Sequence, residues 1–190
     1  MMKIKSISIL LSILFLFAIS NAKAAALTGA DIKEINKALV SARTWIKQGN
    51  FEKALFYTDT EEVGKILMKG YWDKLSQNEK NDITSFMKDT LKTKFHIIQK
   101  RLAGLKFNNP RVDEGKVLCR TVVVFDRSVD KKDQVVDIYL VKKATGWKLV
   151  DIYIIGEGFI SGLNEDKVRP IMKKGGKIAD VKNSIKVVFE

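Results

Sequence analysis

The segment Val135-Val136-Asp137-Ile138-Tyr139-Leu140-Val141, the break Ala144-Thr145-Gly146, and the segment Trp147-Lys148-Leu149-Val150-Asp151-Ile152-Tyr153-Ile154-Ile155 together decide the fold. Successive side chains of a strand point to opposite faces. Val136, Ile138 and Leu140 therefore share one face of the first segment, and Asp137 and Tyr139 the other. Val117 to Phe125 has the same period, and Asp130-Lys131-Lys132-Asp133 separates it from Val135. Three strands joined by short polar connections predict an antiparallel meander. Asn108-Asn109-Pro110 is a turn signal in front of it.

Upstream the period changes to that of a helix. Ile32, Ile35, Leu39, Ala42 and Ile46 recur at spacings of three and four, which predicts a helix over about 30–48 with Gly49 as its stop. Shorter helices are expected at about 51–57 and 61–74. Ser76-Gln77-Asn78-Glu79 has the form of a capping box. The helix it opens carries Ile83, Phe86, Met87, Leu91, Phe95, Ile98 and Leu102 on one stripe and is expected to stop at Gly104. Beyond Gly156-Glu157-Gly158 the chain reads as helical again, at about 164–174 and 177–185. The expected class is α+β, with helices packed on one face of a curved antiparallel sheet.

The chain opens with Lys3 and Lys5, an apolar run from Ile7 to Ile19, and Ala22-Lys23-Ala24. A basic start, a short apolar middle and a small-x-small site predict a cleaved secretory signal over residues 1–24, leaving 25–190 as one domain. The run is shorter than the roughly 20 residues of a spanning helix. The net charge is +12, and the leader holds three lysines and no acid, so the remainder carries +9. The basic residues are dispersed, as in Lys131-Lys132, Lys142-Lys143 and Lys173-Lys174. No run interleaves them with aromatics as in single-strand binders, so nucleic acid is not an expected partner. Anionic lipid headgroups or an acidic protein fit the charge better.

Chemistry-bearing groups are sparse. The lone Cys119, in Val117-Leu118-Cys119-Arg120-Thr121, reads as a small buried hydrophobe. His96 is the only histidine and reads as a helix-surface or core-edge residue. Gly156-x-Gly158-x-x-x-Gly162 lacks the dinucleotide spacing and reads as a sharp turn requiring positive φ. Asp137 and Asp151 on neighbouring strands could serve acid-base chemistry, but aspartates facing lysines are the commoner arrangement. No Ser-His-Asp pattern, P-loop or metal-ligand cluster is visible, so no cofactor or metal is expected.

Trp72-Asp73-Lys74-Leu75-Ser76-Gln77-Asn78-Glu79-Lys80 with Ile83 and Phe86, then Cys119-Arg120-Thr121, Val136-Asp137-Ile138-Tyr139-Leu140 and Gly146-Trp147-Lys148-Leu149-Val150-Asp151-Ile152, resemble in order and spacing the MlaC/toluene-tolerance family of periplasmic phospholipid-binding proteins, auxiliary components of an ABC transporter. The chain departs from the family pattern at Met68-Lys69, at Ile155-Gly156-Glu157-Gly158, and at Asn164 and Lys167. The resemblance implies a cystatin-like roll and a periplasmic carrier that maintains outer-membrane lipid asymmetry. It would move phospholipid between an outer-membrane lipoprotein complex and an inner-membrane ABC transporter complex. The acyl chains would then meet Phe86, Leu91 and Phe95 of the long helix. Val123 and Phe125, Val136, Ile138 and Leu140, and Val150 and Ile152 of successive strands would form the opposite wall, with Ile138 looking toward Phe86 and Phe95. Two other readings stand beside it. An enzyme of the ketosteroid-isomerase-like roll class would use Asp137, Asp151 or His96 in a cleft. An exported adhesion or assembly module would have a solid core and no ligand.

Overall fold

The computed structural model describes residues 26–128 and 132–189. The expected leader and its cleavage point lie outside these residues, as do Asp130 and Lys131 of the connection before β4. Helix α1, Gly29–Lys47, opens on a capping box in which the Thr28 hydroxyl accepts from the Asp31 amide and the Asp31 carboxylate accepts from the Thr28 amide. Two short helices follow, α2 (Phe51–Leu55) and α3 (Thr60–Leu67), with Asn50 and Asp59 as their side-chain caps. The single helix expected from 61 to 74 is interrupted. Gly70 turns the chain at φ +85°, and a 3-10 turn, Trp72–Lys74, completes the segment. The capping box at Ser76 and Glu79 forms as its sequence requires and opens α4, Gln77–Arg101.

From α4 the chain passes directly into β1, Leu102–Phe107, so Gly104 lies in a strand and is no helix stop. An irregularity between Leu102 and Gly104 spoils the two-residue period by which β1 would have been recognised. Strand β2, Arg111–Asp113, turns through Glu114 and Gly115, both at positive φ, into β3, Lys116–Phe125. The meander continues as β4 (Gln134–Lys143) and β5 (Gly146–Ile154) and ends in the two-residue β6, Glu157–Gly158. The strands pair antiparallel in the order β1-β3-β4-β5-β6, with β2 beside the opening half of β3, and an isolated parallel bridge joins Thr58 to Leu149. The outer edge of β5 is covered near its start, where Leu149 donates to Tyr57 O (2.8 Å) and accepts from Asp59 N (3.0 Å), and by β6 near its end.

The last helical region begins five residues before its expected start. Helix α5, Phe159–Leu163, widens into a π turn over Asn164–Val168 and continues as α6, Arg169–Lys173, before α7, Ile178–Phe189. Pro170 accounts for the widening. It has no N–H, and its ring crowds the carbonyl four residues back, so the chain relaxes to a longer repeat in which Arg169 donates to Asn164 O.

Burial separates into two apolar clusters with no shared member. One is built from helices: Val63, Leu67, Met68 and Trp72 pack with Ile83 and Met87 of α4, Ile160 and Leu163 of α5, and Val181 and Ile185 of α7. The other joins Ile35 and Leu39 of α1 to Cys119, Val136, Ile138, Leu140 and Trp147 of the sheet. The inner face of β4 thus meets α1, not Phe86 and Phe95 as the sequence suggested. The amphipathic α1 claims that face, and Phe86 packs on the helical cluster.

Gly64 sets the closeness of α3 to the 3-10 turn. A Cβ there would lie 2.9 Å from the ring of Trp72, which is 8% exposed. Glycine to alanine in an ordinary helix interior gains about 1 kcal/mol, whereas overpacking costs roughly 1–3 kcal/mol. Gly64→Ala is therefore expected to lower the unfolding free energy in denaturant titrations. A gain would show that Trp72 yields freely.

Candidate functional site

Between the two clusters lies a cavity of about 370 Å³. Leu91, Phe95 and Ile98, one stripe of the second half of α4, form one wall. Leu149, Val150, Ile152 and Ile154 of β5 form the facing wall, and Val63, Ile160, Phe159 and Val188 close the ends. Both Leu149 and Val150 reach it because the β4–β5 register shifts there, between Tyr139 and Leu140. Its few polar contributors are Thr58, Lys94 and Asp151. The size falls within the roughly 300–1,000 Å³ of small-molecule sites.

Of the residues named from sequence as contacts for acyl chains, the structure gathers Leu91, Phe95, Val150 and Ile152 around this cavity. Val136, Ile138 and Leu140 belong to the sheet–α1 cluster, and Val123 packs at its margin. Phe125 is half-buried at the end of β3, paired with Leu102, and Phe86 lies against the helical cluster. Missed in the sequence were Val63, Ile98, Leu149 and Ile154, and the α5 and α7 contributions of Phe159, Ile160 and Val188. Ile98 was legible on the α4 stripe. The α5 residues were not, because that helix has no local start signal.

That start is set from a distance. The Asp151 carboxylate, 2% exposed, accepts from Ile160 N (2.8 Å), from Ser161 N and Oγ (both 3.2 Å), and from its own neighbour Ile152 N (2.7 Å). It performs the service of an N-cap from a strand. Burial raises its pKa, and the hydrogen bonds act in the opposite direction. Gly158 permits the approach, since a Cβ there would lie 2.6 Å from Asp151 Oδ2. The neighbouring residues of the Trp-Lys-x-x-Asp element are also structural. Trp147 joins the sheet cluster. Lys148 is buried, donates to Phe56 O and lies over the Phe56 ring at 3.6 Å.

Ile154, Phe159 and Val188 stand at one side of the cavity, and Phe159 and Val188 are partly exposed. These residues also border a shallower depression of about 620 Å³ that includes Ile155, Glu157, Asp166 and Lys167. The β5–β6 turn stands beside this depression. Gly156 has φ +84°, the positive value its sequence predicted, and Ile155 has φ +54° although β-branched and 98% exposed. The turn is a two-residue hairpin connection, not a phosphate loop.

The candidate acid-base groups do not converge. Asp137 lies on the other face of the sheet, where Arg111 (3.1 and 3.2 Å) and Arg120 (both 3.2 Å) hold it. His96 is exposed with its ring edge-on to Phe51. Asp151 alone borders the cavity, and its oxygens are occupied. Cys119 is wholly buried, its Sγ 3.0 Å from Asn108 O, and burial pushes its thiol up to about 11. Among the described residues no group of three or more His, Cys, Asp or Glu is placed to hold a metal ion, and no helix is long and apolar enough to cross a membrane.

Comparison with solved structures finds the same fold in a phospholipid-binding protein from Ralstonia solanacearum, determined in complex with a phospholipid. The two superpose with a TM-score of 0.61 at 17% identity, over 84% of this chain and 96% of that one. The chain matches no family model and no curated protein.

The arginine pair on Asp137 yields a pH prediction. Arg111 foremost, then Arg120, holds the carboxyl below its ordinary value against the raising effect of burial. A lowered folded pKa gives stability that is present above the unfolded value of about 3.9 and is lost as pH falls through the folded one. Both arginines are substantially exposed, so screening limits the contribution to about 1 kcal/mol. Asp137→Asn is expected to cost that much at pH 7 in urea unfolding, with the difference closing below pH 3.9. A cost equal at both ends of the range would contradict the ionic account.

Proposed function

We propose that this protein is an exported carrier that binds a phospholipid with acyl chain in the cavity between helices and sheet and its headgroup in the depression beside Glu157 and Lys167. The observation that carries the reading is an apolar cavity between the two clusters, lined by Val63 and Ile160 of the one and by Leu149, Ile152 and Ile154 at the margin of the other. A hole of that size lined by Leu, Ile, Val and Phe forgoes contacts that an ordinary core would make, by roughly 24 cal/mol per Å³ where it stays empty. An acyl chain is the apolar, narrow and flexible group that fits such a wall, and each buried methylene is worth about 0.8 kcal/mol.

The fold shared with a protein solved in complex with a phospholipid supports the ligand class. The leader pattern at residues 1–24 supports export to the periplasm, and the family resemblance supports exchange with an inner-membrane ABC transporter complex and an outer-membrane lipoprotein complex. Physical chemistry asks for such partners. About ten buried methylenes amount to a gross 8 kcal/mol, so release needs an acceptor that offers the chains an equally apolar place. No hydrolytic or transfer step is part of this reading, because Asp137 and His96 lie away from the cavity and the oxygens of Asp151 are engaged in holding α5.

Two tryptophan variants separate a ligand cavity from a packed core. Leu91 borders the cavity, and Ile138 is 6% exposed within the sheet–α1 cluster. In delipidated protein, where bound ligand adds no stability, Ile138→Trp is expected to lose roughly 1–3 kcal/mol by overpacking. Leu91→Trp should stay within about 1 kcal/mol of the parent yet retain less phospholipid, read as lipid-to-protein ratio by mass spectrometry. A parent protein that neither co-purifies with phospholipid nor takes it up from vesicles would end the carrier reading.

A further inference from the structure

Between Asp89 and Asp113 the chain has six lysines and arginines and no acid. That stretch holds the second half of α4, all of β1 and the start of β2. Lys92 pairs with Glu52, and Arg111 is held by Asp137. Lys100, Arg101 and Lys106 are exposed and make no ion pair among the described residues. The end of α1 is drawn to the same place. Lys47 Nζ donates to Ala103 O (3.0 Å), the Arg43 guanidinium donates to Leu105 O (3.2 Å), and Gln99 Nε2 donates to Lys47 O (3.2 Å). Three elements thus bring Arg43, Lys47, Lys100, Arg101 and Lys106 to one corner of the molecule. Asp126 is the acid tied to it. Its amide donates to Arg101 O (2.8 Å), and its carboxylate accepts from Ser128.

Elsewhere the lysines meet carboxylates, as in Lys65 with Glu61, Lys142 with Asp31, Lys143 with Asp59 and Lys182 with Asp82. At this corner α1 and α4 end together, and each helix end supplies about half a negative charge. With Asp126 that offsets about two of the five positive charges. Gathering the remainder costs self-repulsion, which folding alone does not call for. Protein partners are anchored by side chains seated in pockets. None of the five basic residues lines the cavity or its neighbouring depression. A bilayer asks for no such fit, and a cluster of about four to eight Lys and Arg is what attracts anionic lipid.

We propose that this corner is the surface by which the carrier adsorbs to a bilayer rich in anionic phospholipid. The inference rests on the carrier reading for its purpose and on charge for its location. Ile98 of the cavity wall stands one turn from Arg101, about 5 Å along the helix. Adsorption at this end of α4 therefore brings the wall of Leu91, Phe95 and Ile98 to the membrane that holds its ligand.

The test is co-sedimentation of delipidated protein with vesicles of equal parts phosphatidylglycerol and phosphatidylcholine, against vesicles of phosphatidylcholine alone. The parent is expected to bind the anionic vesicles at least about tenfold more strongly. That binding should weaken as salt rises through about 0.1 M, where exposed charges are screened beyond about 10 Å. The triple variant Lys100→Gln, Arg101→Gln, Lys106→Gln is expected to lose roughly a hundredfold, at about fivefold per basic side chain. A second triple variant, Lys173→Gln, Lys174→Gln, Lys177→Gln, removes the same charge at the exposed connection of α6 to α7. It is expected to stay within about fivefold of the parent, the effect of one side chain. None of the six side chains makes a hydrogen bond or ion pair among the described residues, so the fold is not at stake. Residues 1–24 are common to all three proteins and cancel in the comparison. Equal losses in the two variants would overturn the assignment of this corner. Equal binding of the parent to both kinds of vesicle would overturn adsorption by charge. So would binding to neither, the result expected if the corner serves an acidic protein instead. The lipid-to-protein ratio after re-isolation reads the carrier claim separately. Adsorption without lipid uptake would end that claim and leave this surface in place.

Discussion

The carboxylate of Asp151 holds the two halves of this protein at a fixed separation. It sits in β5, buried, and takes amide hydrogen bonds from the first turn of α5. A buried carboxylate without a countercharge is costly, and four donors offset that cost. Because the contact is a directional bond between a strand and a helix start, the helical cluster cannot slide onto the sheet to close the space between them. Gly158 is the complementary condition, since a Cβ there would lie 2.2 Å from Ser161 Oγ and 2.6 Å from the carboxylate.

The cavity follows from this separation and from the division of the core into two clusters. Leu67, Ile83, Met87 and Ile185 find one another among the helices, and Ile35 and Leu39 find Ile138 and Leu140 on the sheet. The two sets share no member, and the apolar stripe of Leu91, Phe95 and Ile98 looks across a gap at β5. A folding requirement alone does not call for such a gap, and the proposed acyl chain would fill it. Phe159 and Val188 place apolar surface at its side, with charge farther out. An amphipathic ligand has the same gradient.

The period-two runs of β3, β4 and β5, the capping box at Ser76 and the spacing of Ile35, Leu39 and Ile46 were readable because each signal is local. What escaped the sequence is nonlocal. Helix α5 has no cap of its own at Gly158, because its cap is Asp151, seven residues away on a strand. β1 escaped because an irregularity at Leu102 and Gly104 breaks its alternation. The inner face of β4 was correctly read as apolar, but which helix covers it depends on competition between α1 and α4 that no periodicity records. Leu91 and Phe95 were thus placed at the cavity by their stripe, whereas Val136, Ile138 and Leu140 were assigned a wall they do not form. Lys148 shows the same limit. Its partly buried bond to the Phe56 carbonyl spans 92 positions of the sequence.

The central claim is that the space between α4 and β5 holds an acyl chain. The most direct measurement is photocrosslinking with a phospholipid carrying a diazirine near the end of one acyl chain, followed by mapping of the modified peptides. The account predicts adducts on the stretch from Leu91 to Ile98 and on that from Leu149 to Ile154, which face each other across the cavity. Adducts confined to the outer face of the sheet around Arg111, Arg120 and Asp137, or none above an uncrosslinked control, would contradict it.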